Sequence, residues 1–338
     1  MTLEAEARLA KEQPERDISL WFWVAGTLLF LLNLAFGFLR VAPSAALFLS
    51  LASGVIFVAA PLIGLFAAGS ARWSWIKSLA FLAGGVAVHV GSVLLIRQTG
   101  PGAMAVFVQA AGQFGLLVWC AGLGAAIALI IKDKNLILPV CIFLAGFDAF
   151  LILSPSTPVS KMVASNSQAF TDVAMKVPQA QVAPRPDAKP EDKRPRIVPA
   201  AYIGPADLLF SMAFFVLLFR FRMEVRKTAA WLAPVLVIYL ALALASPWGM
   251  LPALVPIGAT VLIVNRRHFT MTRDEKLGTW VVGVIAVALA GWGIYQRATY
   301  VPPRPLQRPE APLSGGQGPA SPSEIGLPPP EAAGQSPS

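Results

Sequence analysis

Charge is scarce in this chain, and so are the residues most often used for covalent or metal chemistry. Charged residues make up 13% of the 338 positions, and there are two cysteines, two histidines and four tyrosines. So little charge excludes an ordinary water-exposed domain, which carries about twice as much. Cys120 and Cys141 lie in separate apolar runs without paired spacing, which excludes a disulfide framework and a zinc site and leaves both as packing residues. His89 stands alone in an apolar run and His268 lies at a loop edge, and no HExxH, GxSxG or phosphate-binding glycine loop is present. These absences remove zinc hydrolases, serine hydrolases and nucleotide enzymes, and no cofactor or metal is expected.

What the chain has in excess is apolar residues, 56% of it, with a mean hydropathy of +0.65. They come in long blocks rather than amphipathic periods, the pattern of a polytopic membrane protein. Nine blocks are legible: 18 to 39, 45 to 68, 76 to 96, 103 to 131, 136 to 153, 203 to 219, 230 to 245, 250 to 264 and 278 to 296. The expected fold is therefore all-α, with about nine transmembrane helices. A span needs about 20 apolar residues, so the short eighth block is expected to begin as irregular chain. Pro247, Pro252 and Pro256 supply the reason, since proline removes backbone donors and biases the residue before it away from helix. The first block resembles a secretory signal at its start, yet its apolar run is too long and Arg40 interrupts any cleavage site, so it reads as an uncleaved anchor.

The net charge of +9 suggests nucleic acid only until the 27 Lys and Arg are placed. All lie outside the blocks or at their edges, so the bilayer is the expected partner and nucleic acid is not. Sorted by face, fifteen belong to 1–17 and to the turns near 72, 133, 224 and 270, against Arg40 and Arg97 for the short segments of the opposite face. By the positive-inside rule the N-terminus is cytoplasmic and the connection between the fifth and sixth spans is outside. With no organelle signal present, a bacterial or archaeal plasma membrane is the expected location.

Residues 154–202 read as an extramembrane loop. Ser154-Pro155-Ser156-Thr157-Pro158 opens it, a proline- and charge-rich stretch from Pro184 to Pro199 closes it, and Val159, Met162, Val163, Ala169, Phe170, Val173 and Ala174 between them predict a short amphipathic helix. The tail 298–338, rich in Pro, Gly, Ser and Ala, reads as disordered and without chemistry.

Of eighteen carboxylates only Asp148 and Asp207 fall inside the apolar blocks. An ionisable side chain in hydrocarbon is costly, so each marks a functional site by default. Asp148 lies near the end of the fifth block and Asp207 near the start of the sixth, and Pro252-Ala253-Leu254 opens the eighth forty-five residues later. Following the chain back and forth puts all three toward one membrane face. Two carboxylates brought close in a poorly solvated site share a proton and titrate as a pair. The ionised member then activates a water while the protonated one donates to a scissile carbonyl.

At these residues the chain resembles the presenilin and signal peptide peptidase family of intramembrane aspartyl proteases. Phe147-Asp148 stands where that family has Tyr-Asp, Gly204-Pro205-Ala206-Asp207 where it has Gly-x-Gly-Asp, and Pro252-Ala253-Leu254 is intact. The resemblance covers residues 136–264 and implies a presenilin-like helical bundle. It implies Asp148 and Asp207 as the catalytic pair, Gly204 and Leu251, Pro252, Ala253, Leu254 and Val255 along the substrate cleft, and residues 159–177 as a gate over it. It also implies transmembrane-helix substrates. The outward active-site face is the signal-peptide-peptidase arrangement, which implies substrates whose N-terminus is cytoplasmic, remnant signal peptides included. On the same reading, Leu254→Ala is expected to impair cleavage without affecting folding. Three departures stand out: Phe147 lacks the tyrosine hydroxyl, Ala206 adds a methyl beside the second aspartate, and one span follows the Pro-Ala-Leu block, which is the last in the family.

Two other classes use the same acids. A proton- or cation-coupled secondary transporter needs paired carboxylates near broken helices, although no inverted repeat is visible. A scaffold needs them only as structural groups.

Overall fold

The computed structural model describes residues 18–165, 167–183, 194–245 and 251–300, and of residues 163, 164, 244 and 245 only the backbone. The segment 1–17, Pro247, most of the proline- and charge-rich stretch and the tail from 301 lie outside them. Among the described residues eleven α-helices follow one another: α1 (Leu20–Phe38), α2 (Pro43–Gly69), α3 (Trp75–Gln98), α4 (Ala103–Ile130), α5 (Ile137–Leu153), α6 (Pro158–Ala164), α7 (Gln168–Val173), α8 (Pro205–Arg220), α9 (Val225–Ala245), α10 (Leu254–Asn265) and α11 (Arg273–Thr299). Four short strands accompany them: β1 (Arg40–Val41), β2 (Met175–Pro178), β3 (Gln181–Val182) and β4 (Pro199–Ile203).

Each of the nine apolar blocks contains one long or medium helix, but among the described residues only seven are long and apolar enough to cross a membrane: α1 to α5, α9 and α11. The expected nine are not all reached by this measure, because α8 has 16 residues and α10 has 12. At 1.5 Å per residue these reach about 24 and about 18 Å, short of a ~30 Å core. Both are replaced at their starts by non-helical chain, β4 before α8 and Leu251–Ala253 before α10.

Helix packing follows small residues. A Cβ on Gly85 would meet the Trp119 backbone nitrogen at 2.3 Å, one on Gly122 the Leu82 nitrogen at 2.5 Å and one on Gly115 the His89 nitrogen at 2.8 Å. Glycine at those positions lets α3 and α4 approach backbone to backbone, as small residues do where lipid offers no hydrophobic driving force. The buried residues of α3 are Ser78, Gly85, His89 and Ser92, small or polar, while most of its apolar side chains face outward. His89 is a packing residue there, bonded through Nδ1 to the Gly112 carbonyl oxygen at 2.9 Å. The same logic brings α2 and α4 onto α8. A Cβ on Gly69 would lie 2.7 Å from the Phe215 Cβ, and one on Gly124 would lie 2.3 Å from the Leu209 oxygen.

The connection 154–202 is not a free loop. The single amphipathic helix expected there is two, α6 and α7, because Ser167 restarts the chain by accepting from the Phe170 amide at 3.3 Å. Met175 and Val177 then lie in a strand, not a helix. β2 pairs antiparallel with β4, Lys176 opposite Tyr202, and β1 pairs parallel with β3. The β2–β4 ribbon is sunk into the bundle: Met175 and Val177 are buried, the Lys176 amide donates to Gln113 Oε1 at 3.0 Å, and Ser53 Oγ donates to the Pro178 oxygen at 2.6 Å. Gln113 and Ser53 each lie ten residues inside their helices, which is about 15 Å of helix. An ion pair of 2.6 Å between Arg97 and Asp172 fastens α7 to the end of α3.

Candidate active site

Four elements meet where β4 ends. Pro205 begins α8 with the fixed φ that suits a first helical position, and Asp207 falls on its third residue. From there its Oδ2 accepts from the Gly204 amide at 3.1 Å, satisfying a donor the helix cannot. Gly204 is suited to this, because a Cβ there would stand 3.1 Å from the same carboxylate oxygen. Cys120, on α4, lies alongside, its Sγ 3.5 Å from the Pro205 oxygen.

Asp148 arrives from α5 and performs a similar service across the bundle. Its Oδ2 accepts from the Leu254 amide at 2.9 Å. Leu254 is the first residue of α10, and Ala253 before it offers no side-chain cap. The carboxylate of one helix thus caps another. The two carboxylates lie within electrostatic reach of each other. Both aspartates are half-buried.

The expected site residues therefore fall in one place, although their roles divide. Asp148, Asp207 and Gly204 form the polar centre. Pro252 is buried, while Leu251, Ala253 and Val255 are half-buried beside it. The Leu254 side chain is 5% exposed and packs in the core, while its amide reaches Asp148. Leu254→Ala is accordingly a packing change as well. Phe147 is 38% exposed and stacks on Phe143, with ring centroids 5.6 Å apart and planes 9° from parallel. Ala206 is exposed.

Two features escaped sequence reading. Tyr239 of α9 donates from its hydroxyl to the Pro252 oxygen at 2.8 Å and lies within electrostatic reach of both aspartates. In the sequence it is one aromatic among the apolar residues of the seventh block. The second is a back-stop behind Asp148. A Cβ on Gly146 would lie 2.6 Å from Ala286, and Gly293 lies against Phe150, so α11 packs on the face of α5 opposite Asp148. Gln296 of α11 closes the contact by accepting from the hydroxyls of Ser154 and, at 3.0 Å, Ser156.

No protein-family model, no curated protein and no solved structure matches the chain. Among the described residues no cluster of His, Cys, Asp and Glu suits a metal ion.

Proposed function

We propose that the protein is an intramembrane aspartyl protease that hydrolyses peptide bonds in or near transmembrane helices, with Asp148 and Asp207 as the water-activating pair. The observation that carries this is the convergence of the two acids beside the Pro-Ala-Leu turn, with Asp148 on the Leu254 amide and both carboxylates in electrostatic reach of each other. They are fifty-nine residues apart in sequence and come from different helices.

In the reaction the ionised aspartate takes a proton from a water, which attacks the scissile carbonyl carbon. The protonated aspartate gives its proton to the carbonyl oxygen, and collapse of the tetrahedral species passes a proton to the leaving nitrogen. A helical substrate must unwind first, because its backbone is already hydrogen-bonded. The ribbon offers the unwound segment a template. Lys176 spends its amide on Gln113, away from β4, so Lys176 and Tyr202 form a non-hydrogen-bonded pair and the main-chain groups of Tyr202 face the free edge of β4. That edge runs directly into Gly204 and Asp207, where an added strand presents its peptide bonds to the dyad. α7 lies over the ribbon, with Phe170 against Tyr202 at 5.3 Å between ring centroids, and supplies the gate.

The N-terminus is placed in the cytoplasm and the active site toward the outer face of a bacterial or archaeal plasma membrane, on the distribution of Lys and Arg. Substrates are then those with a cytoplasmic N-terminus, and inverting a reporter substrate abolishes its cleavage.

The deciding experiment is cleavage of a fluorescent transmembrane peptide by purified protein, compared with Asp148→Asn and Asp207→Asn. Asparagine keeps an oxygen that accepts from a helix N-terminal amide, so capping survives while acid–base chemistry is lost. Loss of cleavage in both variants with unchanged melting supports the protease. Undiminished cleavage in either would sink it and leave the acids as caps.

A further inference from the structure

We propose that Tyr239 is a positioning residue of this site, whose hydroxyl fixes the Pro252 carbonyl and thereby holds the Leu254 amide on Asp148. The inference deepens the protease reading and rests on it.

The turn before α10 leaves backbone groups without partners along the chain. In a helix, the carbonyl of residue 252 would accept from the amide of residue 256. Residue 256 is proline and has no amide hydrogen, so the Pro252 carbonyl has no partner along the chain. The first such bond that forms runs from the Ile257 amide to the Ala253 oxygen at 3.3 Å. At the other end of the turn the Leu254 amide is one of the donors every helix start leaves over. A buried carbonyl or amide left unpaired is costly, and Pro252 and Leu254 are both buried.

Each group is satisfied from a different helix. Tyr239 on α9 donates to the Pro252 oxygen at 2.8 Å, and Asp148 on α5 accepts from the Leu254 amide at 2.9 Å. The two anchored groups belong to adjacent peptide units on either side of Ala253, so the turn is held at both ends and its orientation is set by the pair. Remove the phenol oxygen, and the Pro252 carbonyl must rotate to find another donor. That rotation carries the Leu254 amide with it, away from Asp148. The remaining carboxylate is then misplaced relative to Asp207, on which the geometry of water attack depends.

A tyrosine near a helix end is commonly a lipid-interface anchor. Tyr295 and Tyr300 suit that description, being 59% and 49% exposed. Tyr239 is half-buried, and its hydroxyl is bonded inside the bundle.

The test compares wild type, Tyr239→Phe and the control Tyr295→Phe, with Asp207→Asn alongside. Three quantities are measured: kcat and KM on a transmembrane peptide, hydrogen exchange of the amides between residues 251 and 257 by mass spectrometry, and melting temperature. Tyr239→Phe is expected to lower kcat about 100-fold, the scale of a catalytic group displaced by an ångström, with KM within about twofold. Exchange at Leu251, Ala253 and Leu254 speeds up while peptides of α8 stay as in wild type. A merely structural role lowers the melting temperature or raises KM and leaves kcat alone. Unchanged exchange, or a kcat within about twofold of wild type while Asp207→Asn is dead, overturns the inference and spares the protease. Cleavage by Asp207→Asn at the wild-type rate, or no cleavage by wild type across a panel of substrates, overturns both.

Discussion

The helix that carries Asp207 and the last helix are both built from apolar residues, yet they stand in opposite surroundings. α8 buries ten of its 16 residues, from Leu208 to Leu218, and is touched by α2 at Gly69 and by α4 at Gly124. α11 buries only Ala286 and Gly293 of its 27. Its outward side carries Trp280 near one end and Trp292 and Tyr295 near the other, the aromatic placement of a lipid-facing helix. A short helix enclosed by others holds the acid, and a long helix against lipid holds the neighbouring helix still. Enclosure removes the need to span the bilayer, which is why α8 can begin late and let β4 and Gly204 form the site.

That contrast can be broken at the enclosed helix first. Gly124→Leu would drive a side chain into the Leu209 carbonyl and Met212, both backed by packed helices, and is expected to destabilise by more than about 3 kcal/mol, seen as loss of the folded protein in detergent. Leu254→Ala leaves the amide bond to Asp148 in place but empties a core position; a loss of about 2 to 3 kcal/mol is expected on thermal or denaturant unfolding. Cleavage, measured well below the melting temperature, should persist in that variant.

Smaller effects belong to the lipid-facing helix. Gln296→Ala unties α11 from Ser154 and Ser156 and is expected to cost about 1 kcal/mol and lower turnover severalfold, because Asp148 loses part of its back-stop. Gly283→Leu points into open space, with nothing within 4 Å of its Cβ, and should change stability by less than about 0.5 kcal/mol in either direction. A large effect there would reveal a partner on that face and refute its assignment to lipid.

Much of the site was legible because its residues contradict their surroundings. Asp148 and Asp207 stand out in hydrocarbon-like sequence, and Pro252 and Pro256 announce a late helix start. Tyr239 was not legible, since an aromatic in an apolar run reads the same whether it meets lipid or a carbonyl. Nor was the ribbon: β2 is four residues long, ends in proline and finds its partner more than twenty residues on, so no local period declares it. Gln296 looked like one more polar residue at the end of a span.

What the sequence determined by itself is therefore the succession of apolar helices, the scarcity of acids among them, and the order that brings Asp148, Asp207 and Pro252 to one end of the bundle. Those follow from the cost of unpaired backbone and of charge in an apolar medium, which each segment meets alone. Only the tertiary structure decided which helices are enclosed and which face lipid, that β2 and β4 sink between α2 and α4, and that Asp148 and Tyr239 complete the Pro-Ala-Leu turn. Those depend on groups left unpaired in one segment finding partners in another, a matching that no single stretch of chain contains.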